Sequence, residues 1–446
     1  MRRIVVLGGG FGGVAAVQRL ERMFRHDANV EIVLVSNTNY LVYTPMLSDV
    51  AGGTIEPRNA VPALRTFLKK ARLRQATVDR IDVARRTVQG TLINGHRAET
   101  SYDYLVIALG AVTNFGHATG AAEHALGLKD LLDAFLVHNR ALTMLELANT
   151  MRDPQQRREL LTFVMAGGGF SGVEGIAALE DLVHEALHYY PDIARDELRF
   201  ILTSLETRLL MEVDERLGAY VVEKFRKRGI DVRLGVGVTA VSERSATLTT
   251  GEIIPTHTVI WTGGIRVNPV IQALGLPRSK QGNLAVNRRL QVVDHPTIFA
   301  VGDCAAVPLP GGKGFYTPTA QNAIRQGVVA AENIAALIRG SRGLKTFQYR
   351  PIGSLASLGQ RQAIAEIGNL RFSGLPAWLA WRAIYLAKMP TLANKVRVGL
   401  DWLKELITPV DTVQIPINRE VMGDVLARYG ANTVPSASDP AHAPPT

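Results

Sequence analysis

Glycines at two places in the chain carry the spacing best able to do chemistry. Gly8, Gly10 and Gly13 form G-x-G-x-x-G within GGGFGG, which also holds Phe11 and Gly12, and Gly167, Gly169 and Gly172 repeat it within GGGFSG. In such a run the first glycine permits a tight turn, the second lets backbone approach a pyrophosphate, and the third lets a helix pack close to a strand. The N–H groups that open the following helix, with the positive end of its dipole, then face the phosphates. Two such runs imply two dinucleotides in one chain, and the economical pair is a flavin and a nicotinamide. The chemistry this points to is redox. Two acids stand near these elements. Glu174 follows the second run, where it either steadies a helix N-terminus or touches the nicotinamide end of a nucleotide. Asp303, turned out by Gly302 at the end of TIFAVGD, either holds a ribityl chain or caps a helix.

The elements that must position these residues read as alternating strands and helices. Ile4 to Leu7 is a short apolar run suited to a buried parallel strand, and Val14 to Leu20 is the helix after it. Leu161 to Ala166 and a helix from Val173 repeat the pattern. With no short period, the repeat means two nucleotide-binding units and not a solenoid. Glu31 to Val35 is the second strand of the first unit, and Arg199 to Thr203 that of the second. Each runs into a serine, Ser36 and Ser204, where an acid usually binds the ribose. Asn39 to Val50, with Pro45, is an irregular apolar-aromatic loop that either lies over a cofactor or plugs the core. Tyr102 to Gly110 is a central strand ending in glycine, and Val259 to Gly264 is another that runs into glycines. A helix is expected between Asp130 and Ala148.

The 446 residues suggest roughly three domains. A hydrophobic share of 47% and a charged share of 20% are those of an ordinary globular chain. The net charge of +10 suits an anionic membrane surface or anionic nucleotides. Arg226 to Arg228 reads as a solvated helix end, so no nucleic-acid partner is expected. Cys304 is the only cysteine. It leaves no disulfide framework, no C-x-x-C dithiol and no cysteine metal site, and it reads as a small buried residue. No metal is expected. No window has eighteen consecutive apolar residues, so nothing is expected to span a bilayer. The strand at the N-terminus, with no signal peptide before it, points to the cytoplasm.

After a linker at Gly343 to Pro351 the character changes. Trp378, Trp381 and Tyr385 share one side of a helical segment. Leu392, Val396, Leu403, Leu406 and Ile407 line a face of the next, with Arg397, Asp401, Lys404 and Glu405 opposite. Between Arg371 and Glu405 there are six Lys/Arg and two Asp/Glu. Aromatics, an apolar face and a basic excess describe a helix lying in a membrane interface. The same pattern also fits a helix packed on the protein's own core or on a partner copy. Val434 to Thr446, rich in Pro, Ala and Ser, is expected to be disordered.

Taken together, the motifs resemble the type II NADH:quinone oxidoreductases, the alternative NADH dehydrogenases, as far as about Val413. GGGFGG, GGGFSGVE, YDYLVIALG and TIFAVGDCA are shared with many flavoproteins that bind two dinucleotides. TAQNAIRQG (Thr319 to Gly327), GSLASLGQRQAI (Gly353 to Ile364) and DWLKELITPVDTVQI (Asp401 to Ile415) are closer to this family alone. The resemblance implies FAD on the first unit, with Gly8, Gly10 and Gly13 at its pyrophosphate and Asp303 at its ribityl chain. It implies NADH or NADPH as co-substrate on Gly167, Gly169 and Gly172, with Glu174 near the nicotinamide. Gln321 and the Arg325–Gln326 pair would line the quinone site, and Glu174 joins them as a catalytic candidate. Further cofactor contacts are expected at Phe11, Gly12, Ser36, Pro45, Gly110, Ser204, Gly264 and Gly302. The chain departs from the family at Ser36 and Ser204, where acids are usual, and at Arg325, where a glutamine is.

The resulting expectation is an α/β fold of two Rossmann-like domains, the second inserted in the first, with a C-terminal amphipathic helical membrane module. Residues 1–115 and 268–345 form the FAD domain, 116–267 the NAD(P)H domain, 346–415 the membrane module and 416–446 a tail. The protein would sit peripherally on the cytoplasmic side of the cell membrane. It would pass two electrons from NAD(P)H through flavin to a quinone, without proton pumping, and a homodimer is left open. Two alternatives stay open here: a soluble NAD(P)H:acceptor flavin reductase and a non-catalytic flavin-bound sensor.

Overall fold

Arg2–Leu7 is a strand whose last four residues, Ile4 to Leu7, are apolar on both faces and keep no solvent exposure. That is the mark of a central parallel strand covered on both sides. The computed structural model containing it describes residues 1–116, 118–341 and 343–415, so the expected tail of 416–446 lies outside the described residues. Arg2–Leu7 sits inside an eight-stranded sheet, between Val30–Ser36 on one side and Tyr104–Ile107 on the other. Beyond Tyr104–Ile107 come His295–Ala300 and Gln291–Val292; beyond Val30–Ser36 come Arg72–Asp82, Thr87–Leu92 and Arg97–Ser101. The strands from His295–Ala300 to Arg72–Asp82 pair in parallel, and the last three form an antiparallel meander. Strand order therefore reverses beside Arg2–Leu7. The crevice at such a switch point, at the carboxyl ends of the strands, is where doubly wound sheets take their ligands.

His295–Ala300 joins this sheet only after a second unit has been completed. That unit has five parallel strands in the order Ile230–Leu234, Arg199–Ser204, Thr162–Ala166, Thr258–Trp261, Leu126–Gly127. The second fold is thus inserted in the first. The chain enters through Ala111–Thr113 and returns through Ile265–Val267, and these two segments pair antiparallel as a ribbon.

The third glycine of each run fixes how each helix sits. A side-chain carbon at Gly13 would lie 2.0 Å from the carbonyl oxygen of Gly8, and one at Gly172 would lie 1.8 Å from that of Gly167. Helices Phe11–Met23 and Phe170–Ala186 therefore start hard against the turns that precede them. A third close approach brings helix Ala320–Ile338 across the first of these, with Gly327 meeting the carbonyl of Gly12.

The C-terminal module is an antiparallel sheet, Gly353–Ser357, Ala363–Ile367 and Leu370–Gly374, followed by helices Leu375–Lys388 and Leu392–Lys404. Here the expected membrane face is corrected in part. Trp378 and Trp381 do not face outwards: they are 8% and 2% exposed and pack in the core with Trp402. The reason is the polar end of the ring, since Trp381 and Trp402 donate their indole N–H groups to carboxylates inside the protein. The aliphatic residues do stay outside. Leu375, Leu379, Leu392, Val396, Leu400, Leu403 and Ile407 are each more than half exposed. So large an apolar row marks an interaction surface. No helix among the described residues is long and apolar enough to cross a membrane, so the row suits a module lying on one.

The glycine contacts separate two roles that one motif combines. Gly172→Ala should destabilise the protein by about 1–3 kcal/mol through overpacking. Gly169→Ala, where a methyl group meets nothing within 4 Å, should change stability by less than about 1 kcal/mol yet weaken NADH binding at least tenfold. Thermal melts and nucleotide titrations of the two variants check both halves.

Candidate functional site

Both glycine loops have room for a pyrophosphate. A methyl group at Gly10 would meet nothing within 4 Å, as at Gly169, and neither residue supplies a side-chain cap to its helix. The opening N–H groups are thus left to whatever anion approaches. Ser36 and Ser204 stand buried at the strand ends, where a ribose would be met. Ser204 Oγ accepts the N–H of Glu206, whose side chain is exposed. Arg208, four residues past Ser204, donates to the carbonyls of Met211 and Val213 and is committed to its own loop. Gly110 and Gly264, both at positive φ (65° and 143°), flank the ribbon between the units, with open space at each.

The Gly302–Cys304 turn presents Asp303. Its carboxylate does not cap a helix; it lies 3.4 Å from Lys129 Nζ. Asn283 donates to its carbonyl at 2.8 Å. A cavity of about 310 Å³ opens here, lined among others by Gly302, Asp303, Thr319 and Asn322. Cys304 is fully buried, and desolvation pushes its thiol up to about 12, so it is inert.

Helix Ala320–Ile338 carries the three acceptor-site candidates, and the structure divides them. Gln326 is buried and accepts the N–H of Gly302 at 2.7 Å, so it braces the Asp303 turn. It does not stand with Arg325, because one residue along a helix turns the side chain by about 100°. Gln321 and Arg325, four apart, do share a side. Tyr349 joins them: its hydroxyl donates to Gln321 Oε1 at 2.8 Å, and the Arg325 guanidinium lies 3.9 Å from its ring centre. Gln321 Nε2 donates to the carbonyl of Gly353 at 3.0 Å. Tyr349 went unread in the sequence because it falls in a segment with linker composition. Desolvation, and then the charge of Arg325, lowers Lys388 at the end of helix Leu375–Lys388.

Glu174 faces the C-terminal module. Its Oε1 accepts the N–H of Ser357 at 2.9 Å and the indole N–H of Trp381 at 3.1 Å. Desolvation outweighs these bonds and, with the nearby charge of Asp49, pushes its carboxyl up to about 8. Asp49 accepts the indole N–H of Trp402 at 3.2 Å, and desolvation pushes it up to about 7 against the pull of Arg382. Around this pair lie Tyr43, which donates to the carbonyl of Tyr385, and Phe11, edge-on to Tyr43 at 5.8 Å. Pro45 opens the short turn Thr44–Met46 just beyond. The cluster links the first glycine run to the helix of the second. Asp49, Trp381 and Trp402 had no signal of their own in the sequence beyond an acid in an apolar loop and aromatics at helical spacing.

The family model described as pyridine nucleotide-disulphide oxidoreductase matches residues 2–327, and the NDH2 C-terminal domain matches residues 352–409. The type II NADH:quinone oxidoreductase Ndh of Mycobacterium tuberculosis is 31% identical over 90% of this chain and 87% of its own. The demethylphylloquinone reductase NdbB of Synechocystis is 33% identical over 90% of this chain and 95% of its own. Among solved structures, NDH2 of Plasmodium falciparum in complex with NADH superposes with a TM-score of 0.87 at 20% identity, over 92% of this chain and 99% of the other. At that identity the likeness is one of fold.

Two outcomes follow from these groups. Glu174 holds, between about pH 4.5 and 8, a proton that the unfolded chain has released. The native state thus binds more protons than the unfolded state, and stability falls as pH rises through that window. Glu174→Gln should flatten the fall, read as a smaller loss of Tm between pH 5 and 8 than in the wild type. The second concerns the nucleotide. With Ser204 in place of an acid, the strand end itself carries no charge to repel a 2′-phosphate, and the nearest acid, Glu206, is exposed two residues on. The kcat/KM for NADPH should lie within about tenfold of that for NADH, a gap of ~1.4 kcal/mol, and Ser204→Glu should depress NADPH use selectively. Steady-state kinetics with both nucleotides decides it, and a thousandfold wild-type preference for NADH would overturn it.

Proposed function

The chain belongs to the type II NADH:quinone oxidoreductases, and from that premise we propose that it oxidises NADH or NADPH and reduces a quinone at a membrane surface, without moving protons across it. Bound FAD supplies the two-electron relay between the two substrates. The first glycine run and the start of helix Phe11–Met23 would hold its pyrophosphate, and the Asp303 turn, braced by Gln326, its polyol chain. Phe11, Gly12, Ser36, Pro45, Gly110 and Gly302 complete that reading. Residues 116–267 are the nicotinamide unit, with Gly167, Gly169 and Gly172 at the pyrophosphate, Ser204 at the ribose and Gly264 beside the ribbon. The single cysteine rules out a dithiol relay.

The observation that carries the proposal is the one face formed by Gln321 and Arg325, with Tyr349 packed on it, on a helix that starts at the flavin-side cavity. Gln321 has an amide hydrogen left for a quinone carbonyl, and Arg325 can stabilise the negative charge that develops on its oxygen. Glu174, on the other side of strand Gly353–Ser357 and kept protonated at neutral pH by desolvation, is read as the nicotinamide-side acid. The exposed row from Leu375 to Ile407 seats the protein where quinones dissolve, which a soluble flavin reductase would not need. We read the membrane as the cell membrane, met from its cytoplasmic side.

An anaerobic titration of the purified flavoprotein tests this. NADH should bleach the flavin absorbance within seconds, and an added quinone should restore it. Gln321→Ala and Arg325→Ala should each leave bleaching intact while slowing restoration, or raising the quinone KM, about tenfold or more. Bleaching that fails in the variants would assign these residues to cofactor binding, and a wild-type flavin that no quinone reoxidises would overturn the function.

A further inference from the structure

Arg325 is a half-buried cation that no acid answers. Among the described residues its guanidinium makes no ion pair and one hydrogen bond, from Nη1 to the carbonyl of Gln321 at 3.0 Å. Its flat side lies 3.9 Å from the ring centre of Tyr349. That ring is itself held at both ends: its hydroxyl donates to Gln321 Oε1 at 2.8 Å, and the Tyr349 N–H donates to the hydroxyl of Tyr316 at 3.2 Å. One face and one corner of the guanidinium are therefore fixed, and its charge is left uncompensated. Lys388, exposed at the end of helix Leu375–Lys388, stands near enough to feel that charge and has no acid partner among the described residues either.

The part of Arg325 still open has a definite shape. With Nη1 spent on Gln321, the edge made by Nε–H and Nη2–H has no protein acceptor among the described residues. Two parallel N–H groups match two neighbouring oxygens that carry negative charge. A lone quinone carbonyl is neutral and fills half of that edge. Gln321 adds a second contact, because one of its amide hydrogens goes to the carbonyl of Gly353 and the other remains. Side chains four apart on a helix are about 5–6 Å apart, so one flat ring reaches both.

We propose that this face selects quinones bearing an ionised hydroxyl beside a carbonyl, with that oxygen pair on the Nε/Nη2 edge of Arg325 and the opposite carbonyl on Gln321. This rests on the quinone-reductase reading above and names the class of quinone. In such an anion the charge is shared between the ionised oxygen and the carbonyl across the ring, so both contacts are charge-assisted. Reduction removes the charge. A hydride equivalent from NADH and two protons from water turn the anion into a neutral triol, whose hydroxyls are ordinary phenols with a pKa of about 10. Arg325 thus holds the substrate more firmly than the product.

Stopped-flow mixing of the NADH-reduced holoenzyme with two soluble quinones tests the selection. The probes are 2-hydroxy-1,4-naphthoquinone and its methyl ether, 2-methoxy-1,4-naphthoquinone, which cannot ionise. At neutral pH, half-maximal flavin reoxidation should need at least about tenfold less of the hydroxy compound. The advantage should vanish as pH falls through the pKa of that compound's own hydroxyl. Lys388 and Tyr349, the titratable groups facing Arg325, act on both quinones, so the ether serves as their control. Arg325→Gln should lower the ratio between the two quinones by about tenfold, and Arg325→Lys, a charge without the fork, should keep only part of it. Equal half-saturation for the two quinones in the wild type would overturn the selection, and so would a ratio unchanged in Arg325→Gln. The wild-type comparison stands even where a variant does not fold. Reoxidation by both quinones without preference sinks the selection and leaves the function in place, whereas a flavin that no quinone reoxidises removes both.

Discussion

Three contacts between backbones, each too close for any side chain, set the rest of this structure. Gly13 lies against the carbonyl of Gly8, Gly172 against that of Gly167, and Gly327 against that of Gly12. The first two press a helix N-terminus onto the end of a central strand, the arrangement that suits an approaching anion. The third lays helix Ala320–Ile338 across the first of those helices, and so brings Gln326 to Gly302 and Gln321 to Tyr349. Close packing of this kind leaves little freedom to adjust. The positions of the first glycine turn, the Asp303 turn and the Gln321–Tyr349 contact therefore follow from one another.

The C-terminal module is tied to that arrangement by polar bonds as well as by packing. Trp381 and Ser357 bind Glu174, Trp402 binds Asp49, and the N–H of Val410 binds Glu185 on the same helix as Glu174. Indoles serve well here because one ring fills core volume and offers one donor at a fixed place. The same helices turn their leucines outwards. One pair of helices thus has an exposed apolar side and a side that holds two carboxyls, about one helix diameter apart.

Much of this was legible in the sequence where backbone geometry dictates residue type. The two glycine runs announced their turns, because only glycine permits the approach at Gly13 and Gly172. The serines at the strand ends were equally plain as departures. Side-chain partnerships were less so. Trp378 and Trp381 read as interfacial aromatics because helical spacing tells which residues share a side but not which side meets the core. Gln326 was expected beside Arg325 because the family motif pairs two glutamines there, and the motif does not show that Gln326 meets the N–H of Gly302. Tyr349 and Asp49 owe their places to contacts with Gln321 and Trp402, which lie 28 and 353 residues away. No local pattern encodes such distances.

The ribbon formed by Ala111–Thr113 and Ile265–Val267 has a consequence for how such a chain could arise and be altered. Its three residue pairs bring the two ends of the whole second unit side by side. An insertion that begins and ends at neighbouring points adds almost no strain to its host, whatever its length. The host sheet accepts His295–Ala300 beside Tyr104–Ile107 just as it would if the intervening fold were absent. The second unit is in that sense a cassette on a short neck. A graft cut within the ribbon would exchange the second glycine run and Ser204 while leaving the C-terminal module and helix Ala320–Ile338 in place.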